Sequence, residues 1–108
     1  MTQDNNPTRI PYKPPFPLGD IVVTTGLLEV CDTGRLMLCL MQHASGNWGN
    51  VCDEDKATND QALIHGDRIL SAYAIDPSKP AKGYGENCLW IITEADRSVT
   101  TFLLPDEY

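Results

Sequence analysis

Near its C-terminal end the chain carries two runs rich in β-branched and aromatic residues, Cys88-Leu89-Trp90-Ile91-Ile92-Thr93 and Val99-Thr100-Thr101-Phe102-Leu103-Leu104, joined through Ala95-Asp96-Arg97-Ser98. Two such runs on either side of a tight polar turn specify an antiparallel hairpin. A lone hairpin is marginal in water, so these strands require further strands and a covering layer. Residues 69–75, which include Tyr73, supply the next strand, and a long loop over 76–87 containing Pro77, Pro80, Gly83 and Gly85 separates it from the hairpin. Upstream, Ile21-Val22-Val23-Thr24 lies between Gly19-Asp20 and Gly26 and reads as a short N-terminal strand able to pair beside the last one.

Helical signals fill the stretch between. Thr25 is placed to cap a short helix whose apolar residues are Leu27, Leu28 and Val30, and Asp32-Thr33-Gly34 breaks it. Asp32 or Thr33 then caps a second helix over 34–43. Its centre, Leu36-Met37-Leu38-Cys39-Leu40-Met41, is apolar on every side. Such a helix must be buried almost all round or have one side occluded by a partner. Asp53 stands as N-cap of a third helix over 54–64, where first-turn acids suit the dipole. Ala57, Gln61 and Ile64 share one face with Leu63 beside it, and Gly66 closes the helix. The predicted fold class is α+β: a short N-terminal strand, two or three helices, then a three-stranded antiparallel meander, forming one sheet with helices on one face.

The length of 108 residues suits a single domain. That domain is expected over 19–108. Residues 1–18 hold five of the eight prolines and read as an extended or disordered arm, with Ile10, Tyr12 and Phe16 able to dock it. No apolar leader and no run long enough to span a membrane are visible, so a cytoplasmic location with reduced cysteines is expected. Cys31, Cys39, Cys52 and Cys88 form no C-x-x-C pair and read as small buried hydrophobes.

Fifteen acidic residues against eight basic ones give a net charge of −7. That balance argues against direct nucleic-acid binding, which is driven by Lys and Arg, and against an anionic membrane surface. Recognisable catalytic chemistry is missing. His43 and His65 sit at helix ends and in no nucleophile motif. Cys52, Asp53, Asp55, Asp60 and His65 invite a metal reading, but Ala57 and the missing glycine break the calcium-loop template. Gly83-Tyr84-Gly85 lacks the third glycine of a dinucleotide fingerprint. Asp96 and Arg97 read first as turn residues and second as an acid beside an anion-binding cation. Trp48, in the glycine-rich loop 44–52, is either folded into the core or an exposed anchor for a partner. No catalytic residue, cofactor or metal is therefore assigned. The interaction candidates are Trp48, Asp53, Glu54, Asp55, Asp60, Glu94, Asp96 and Arg97, with Asp67, Asp106 and Glu107 extending the acidic surface.

Several strings also resemble a known family. They are Gly46-Asn47-Trp48-Gly49-Asn50, the helix with Asp53, Asp55, Lys56, Asn59 and Ala62-Leu63, then Arg68-Ile69-Leu70-Ser71-Ala72-Tyr73, and above all Trp90-Ile91-Ile92-Thr93-Glu94-Ala95-Asp96-Arg97-Ser98. Over roughly residues 18–108 the chain is similar to small bacterial proteins carried on plasmids, prophages and other mobile elements. These are commonly labelled "plasmid-related protein" and sometimes type I restriction modification subunit. The chain has no Asn-Pro-Pro-Tyr motif and no cofactor-binding domain of a methyltransferase, so the resemblance implies a setting and no catalytic residues. It departs from the family at Arg35-Leu36-Met37-Leu38-Cys39-Leu40-Met41, where relatives carry a more charged helix.

The first functional expectation is a non-enzymatic acidic interaction protein of a plasmid or prophage. It would inhibit a host defence system in the manner of anti-restriction or anti-CRISPR proteins, with a basic nucleic-acid-binding protein as partner. Homodimerisation through the apolar helix is compatible with it. The alternatives are a toxin–antitoxin or regulatory module, which −7 disfavours for an RNA-cleaving toxin, and a small enzyme. The enzyme would need His43, Trp48, Glu94, Asp96 and Arg97 to converge on a pocket.

Overall fold

The computed structural model describes residues 15–108. Over those residues the fold class is α+β, with a four-stranded mixed sheet and three helices. In chain order these are β1 (Asp20–Val23), α1 (Thr25–Leu28), α2 (Thr33–Ala44), α3 (Asp53–His65), β2 (Ile69–Tyr73), β3 (Leu89–Thr93) and β4 (Val99–Leu103), followed by a 3₁₀ turn at Pro105–Glu107. The strands lie in the order β1-β4-β3-β2. The meander expected from the sequence is thus part of a larger sheet: β2, β3 and β4 are antiparallel, and β1 adds to β4 in parallel. Among the described residues the sheet does not close round a helix, and β1 and β2 are its edges.

Register sorts the side chains. Ser71 pairs with Ile91 and Ile91 with Phe102, while Ile69 pairs with Thr93 and Thr93 with Thr100. These residues therefore share one face, because side chains alternate along a strand. On that face Tyr73, Leu89, Ile91 and Phe102 form a core with Leu27 of α1 and with Leu36 and Cys39 of α2. Enclosing Leu27, Leu89 and Ile91 completely contributes about 1.5–3 kcal/mol for each side chain. A second cluster joins Phe16, Trp48, Val51, Ala62, Ile69, Ala72 and Cys88. Ile10 and Tyr12, the other expected docking residues, lie outside the described residues.

The helix boundaries correct the sequence reading in several places. The Thr24 hydroxyl, not that of Thr25, caps α1 by accepting from the Leu27 N–H at 3.3 Å. Asp32 caps α2, accepting from Arg35 N at 2.9 Å. Asp53 is the first residue of α3 rather than its cap, and Cys52 occupies the cap position without a side-chain bond. Cys52 is exposed, unlike the other three cysteines, so it is not a buried hydrophobe. Gly66 does end α3, in the left-handed conformation at φ 78.

Two of the expected helix faces are also revised. α2 is not buried all round: Leu36, Cys39 and His43 are inside, whereas Met37, Leu38 and Met41 are more than half exposed. α3 turns Asn59 and Ala62 inward and leaves Ala57, Gln61 and Ile64 in solvent. The reason is polar. Asn59 accepts from Leu70 N at 3.2 Å and donates to Leu70 O at 2.8 Å, satisfying the free edge of β2. Further along the same edge, Ala72 N donates to Trp48 O and Asn50 N to Ala72 O. Gly49 makes this approach possible, since a Cβ there would fall 2.0 Å from Ala72 O. The β2 edge is thereby blocked against pairing with another chain.

Candidate functional site

The chemistry-bearing side chains fall into two places. The first is a polar cluster beneath α2. His43, fully buried, faces the Ser71 hydroxyl through Nδ1 at 2.6 Å and the Thr93 hydroxyl through Nε2 at 2.8 Å. Thr93 Oγ1 is 2.7 Å from Thr100 Oγ1, and Thr100 donates to the carbonyl of Leu18 at 2.6 Å. Counting protons assigns every direction. The carbonyl can only accept, so Thr100 gives its proton there and must accept from Thr93. Thr93 in turn accepts from Nε2–H, which leaves Nδ1 as acceptor for Ser71. His43 is thus a neutral Nε2–H imidazole, and burial pushes its pKa down to about 3.

A serine hydroxyl on an imidazole nitrogen is the arrangement of an activated nucleophile. Here both residues are fully buried. The imidazole ring is also closed in by Phe16 at 5.3 Å and Trp48 at 6.0 Å, both near edge-on. Among the described residues, no buried side-chain nitrogen or oxygen lacks a partner. The hydrogen-bonding capacity of the cluster is spent on holding α2 to β2, β3 and β4.

Trp48 belongs to the core, not to an exposed anchor: it is 4% exposed and donates from Nε1 to Asp60 at 2.9 Å. That bond fixes Asp60 at the surface of α3. Arg97 is likewise no free cation. It adopts φ 60 in the β3–β4 turn, and its guanidinium donates to the carbonyls of Asp67, Glu94 and Ala62 at 2.7, 3.1 and 3.1 Å. It also lies 5.6 Å from the Phe16 ring. The fork therefore neutralises the negative end of α3 and clamps Phe16 against it. Asp96 holds its own turn through Ser98, whose hydroxyl and N–H keep its carboxyl below the usual range. Glu94 is exposed beside it. Asp53, Glu54 and Asp55 crowd the first turn of α3. His43, Trp48, Glu94, Asp96 and Arg97 thus do not line a common pocket. Burial raises the thiols of Cys39 and Cys88 to about 11, so neither is a ready nucleophile.

The second place is open. A groove of about 940 Å³ lies where β2 ends, β3 begins and β4 ends, lined by Val30, Ile75, Asp76, Lys79, Glu86, Asn87, Leu104, Pro105 and Asp106. A further hollow of about 540 Å³ shares Val30, Ile75 and Asp76 with it and extends past Asp32, Arg35 and Leu38. Together they are lined by the carboxylates of Asp32, Asp76, Glu86 and Asp106 against the cations Arg35 and Lys79. Both cations are engaged, Lys79 with Asp76 at 3.9 Å and Arg35 with Ala74 O at 2.9 Å. Val30 and Leu38 are each 56% exposed.

One side chain shapes the wall. Asn87 accepts from Asp76 N at 2.8 Å and donates from Nδ2 toward the carbonyls of Asp76, Lys79 and Pro80 at 3.0 to 3.3 Å. Asp76 tightens the loop further by accepting from Ser78 N and Ser78 Oγ, and those bonds lower its pKa.

Of the groove residues, only Asp106 was among the acids singled out from the sequence. The lining comes from four separated segments, and nothing in a linear reading joins Val30 to Ile75, Asn87 and Leu104. The available signals were Asp76-Pro77-Ser78, which favours an Asx turn, and Val30, an apolar residue between Glu29 and Cys31 at a helix break. The acids of the hairpin turn, Glu94 and Asp96, lie at the other end of strands about 15 Å long.

Among the described residues, no three His, Cys, Asp or Glu side chains are grouped to hold a metal ion. None of the described helices is long and apolar enough to cross a membrane. No protein-family model, curated protein or solved structure matches the chain.

Proposed function

We propose that the protein is a non-enzymatic acidic interaction module of a plasmid or prophage that occupies a basic surface on a host defence protein. The observation that carries this reading is the contrast between its two polar regions. The Ser71–His43 pair is sealed under aromatic rings, while the accessible concavity combines exposed apolar side chains with more carboxylates than cations. An acidic surface of this kind suits a partner whose working surface is basic because it handles nucleic acid. The mobile-element setting rests on the resemblance of the hairpin string around Trp90–Ser98.

The test is affinity capture from host lysate with tagged protein at low and raised salt. A nucleic-acid-binding defence protein retained in stoichiometric amount at low salt and shed at raised salt is the expected result. Capture of nothing in that class, by a protein shown to be folded, overturns the reading.

A further inference from the structure

We infer that the groove between the α1–α2 junction and the 76–87 loop is a docking site for a protein segment carrying apolar side chains flanked by Lys or Arg. The inference rests on the interaction-module reading and gives that module a definite contact surface. Three observations support it. The groove offers apolar contact at Val30, Ile75 and Leu104, and Val30 stays 56% exposed although the chain has an apolar core to receive it. Exposed apolar surface rimmed by polar groups marks a place where another molecule sits. The rim then selects the sign of that molecule. Lys79 is held by Asp76 and Arg35 by a backbone carbonyl, whereas Glu86 and Asp106 make no side-chain hydrogen bond or ion pair with the other described residues. A cationic flank supplies their missing counter-charge, and an anionic segment is repelled.

The third observation concerns the wall. Asn87, which accepts from Asp76 N and shares its two Nδ2 protons among three carbonyls, and two hydrogen bonds into Asp76 fix the loop before anything binds. A wall ordered in advance spares the binding event the entropy of ordering a loop. The geometry accordingly points to a preformed site for a short linear segment. The acids on α3 and in the hairpin turn play no part in this contact.

A labelled synthetic peptide, Lys-Leu-Lys-Lys-Leu-Lys, is a suitable probe, titrated by fluorescence anisotropy with amide shift mapping by NMR. Controls replace Leu by Ser or Lys by Ser. The parent peptide is expected to shift the amides of Val30, Ile75, Asn87 and Leu104, and each control to bind at least about tenfold more weakly. Val30→Glu and the Glu86→Lys/Asp106→Lys pair, all at surface positions, are each expected to weaken the parent by about tenfold or more. Asp53→Asn/Glu54→Gln/Asp55→Asn should leave it unchanged.

Failure of the parent peptide to bind overturns the inference. So do equal binding of the Ser-for-Leu control, shifts centred on α3, or a dimer that Val30→Glu breaks, which would make a second copy the occupant. The lysate experiment repeated with the groove variants separates the two levels. A defence protein captured equally by wild type and variants removes the groove and keeps the module. Groove binding of the peptide without any such capture keeps the groove and removes the defence partner.

Discussion

Beneath α2, a histidine, a serine and two threonines satisfy one another so completely that no proton is left to offer. At the far end of the same strands, Glu86, Asp106, Val30 and Leu38 face water with little to hold them. The difference shows that residue type alone does not mark a functional site. His43 and Ser71 are the residues a chemist would choose first, yet burial and a single direction of proton donation turn them into structural elements. The groove residues are ordinary one by one and come together only because a hydrogen-bonded loop collects them.

Removing the hub of the buried cluster has the largest expected effect. His43→Ala leaves the Ser71 hydroxyl without its acceptor and Thr93 without its donor, and opens a cavity under Phe16 and Trp48. A loss of about 3–5 kcal/mol in unfolding free energy is expected, combining the unsatisfied-group and cavity costs. Urea denaturation measures it. A loss below about 1 kcal/mol would mean the cluster is not a structural hub.

Acid should reach the same histidine without mutation. Its folded pKa is lowered to about 3 from 6.5. Between those values the unfolded chain binds a proton that the folded chain refuses, so stability is complete above about pH 6.5 and declines as pH falls toward 3. The slope is about 1.4 kcal/mol per pH unit, giving about 2 kcal/mol between pH 6.5 and pH 5. His43→Leu should flatten this limb of the pH profile. An unchanged slope in that variant would show that another group is responsible.

The wall of the groove is the next target. Asn87→Ala removes the side-chain contacts to four backbone groups of a half-exposed loop, for an expected cost of about 1–2 kcal/mol, because solvent replaces part of what is lost. Its larger effect should be local. Amide exchange in the 76–87 loop should accelerate while that in β3 and β4 does not. Uniform acceleration across the sheet would mean that the loop is not an independent wall.

What was legible in the sequence follows the same division. The hairpin, the cap of α2 at Asp32 or Thr33 and the stop at Gly66 were readable because each depends on neighbours in sequence, whereas the first strand beside the last, a pairing some eighty residues apart, was only a packing expectation. The inward face of α3 was misread because its anchor, Asn59, is polar and its partner is the backbone of Leu70, a contact that no hydrophobic period encodes. Trp48 is ambiguous in the sequence because the acceptor of its indole proton, Asp60, lies twelve residues on. Arg97 looked available because its acceptors are backbone carbonyls, which a sequence does not display.

The smallest expected effect concerns the outward face of α2, which the sequence required to be buried or covered. Met41 is 63% exposed and Met37 53%. Substituting Met41→Lys at so open a position should change stability by no more than about 0.5 kcal/mol, since little apolar area is lost from the core. If this face is covered by a second copy, the thermal midpoint of the wild type should rise with protein concentration, because association stabilises only the folded chain. Met41→Lys should abolish that rise. If the face is bare in solution, wild type and variant should melt alike at every concentration and sediment as monomers. The exposed methionines would then be a tolerated remainder of a helix held through its other face, by Leu36, Cys39, Leu40 and His43.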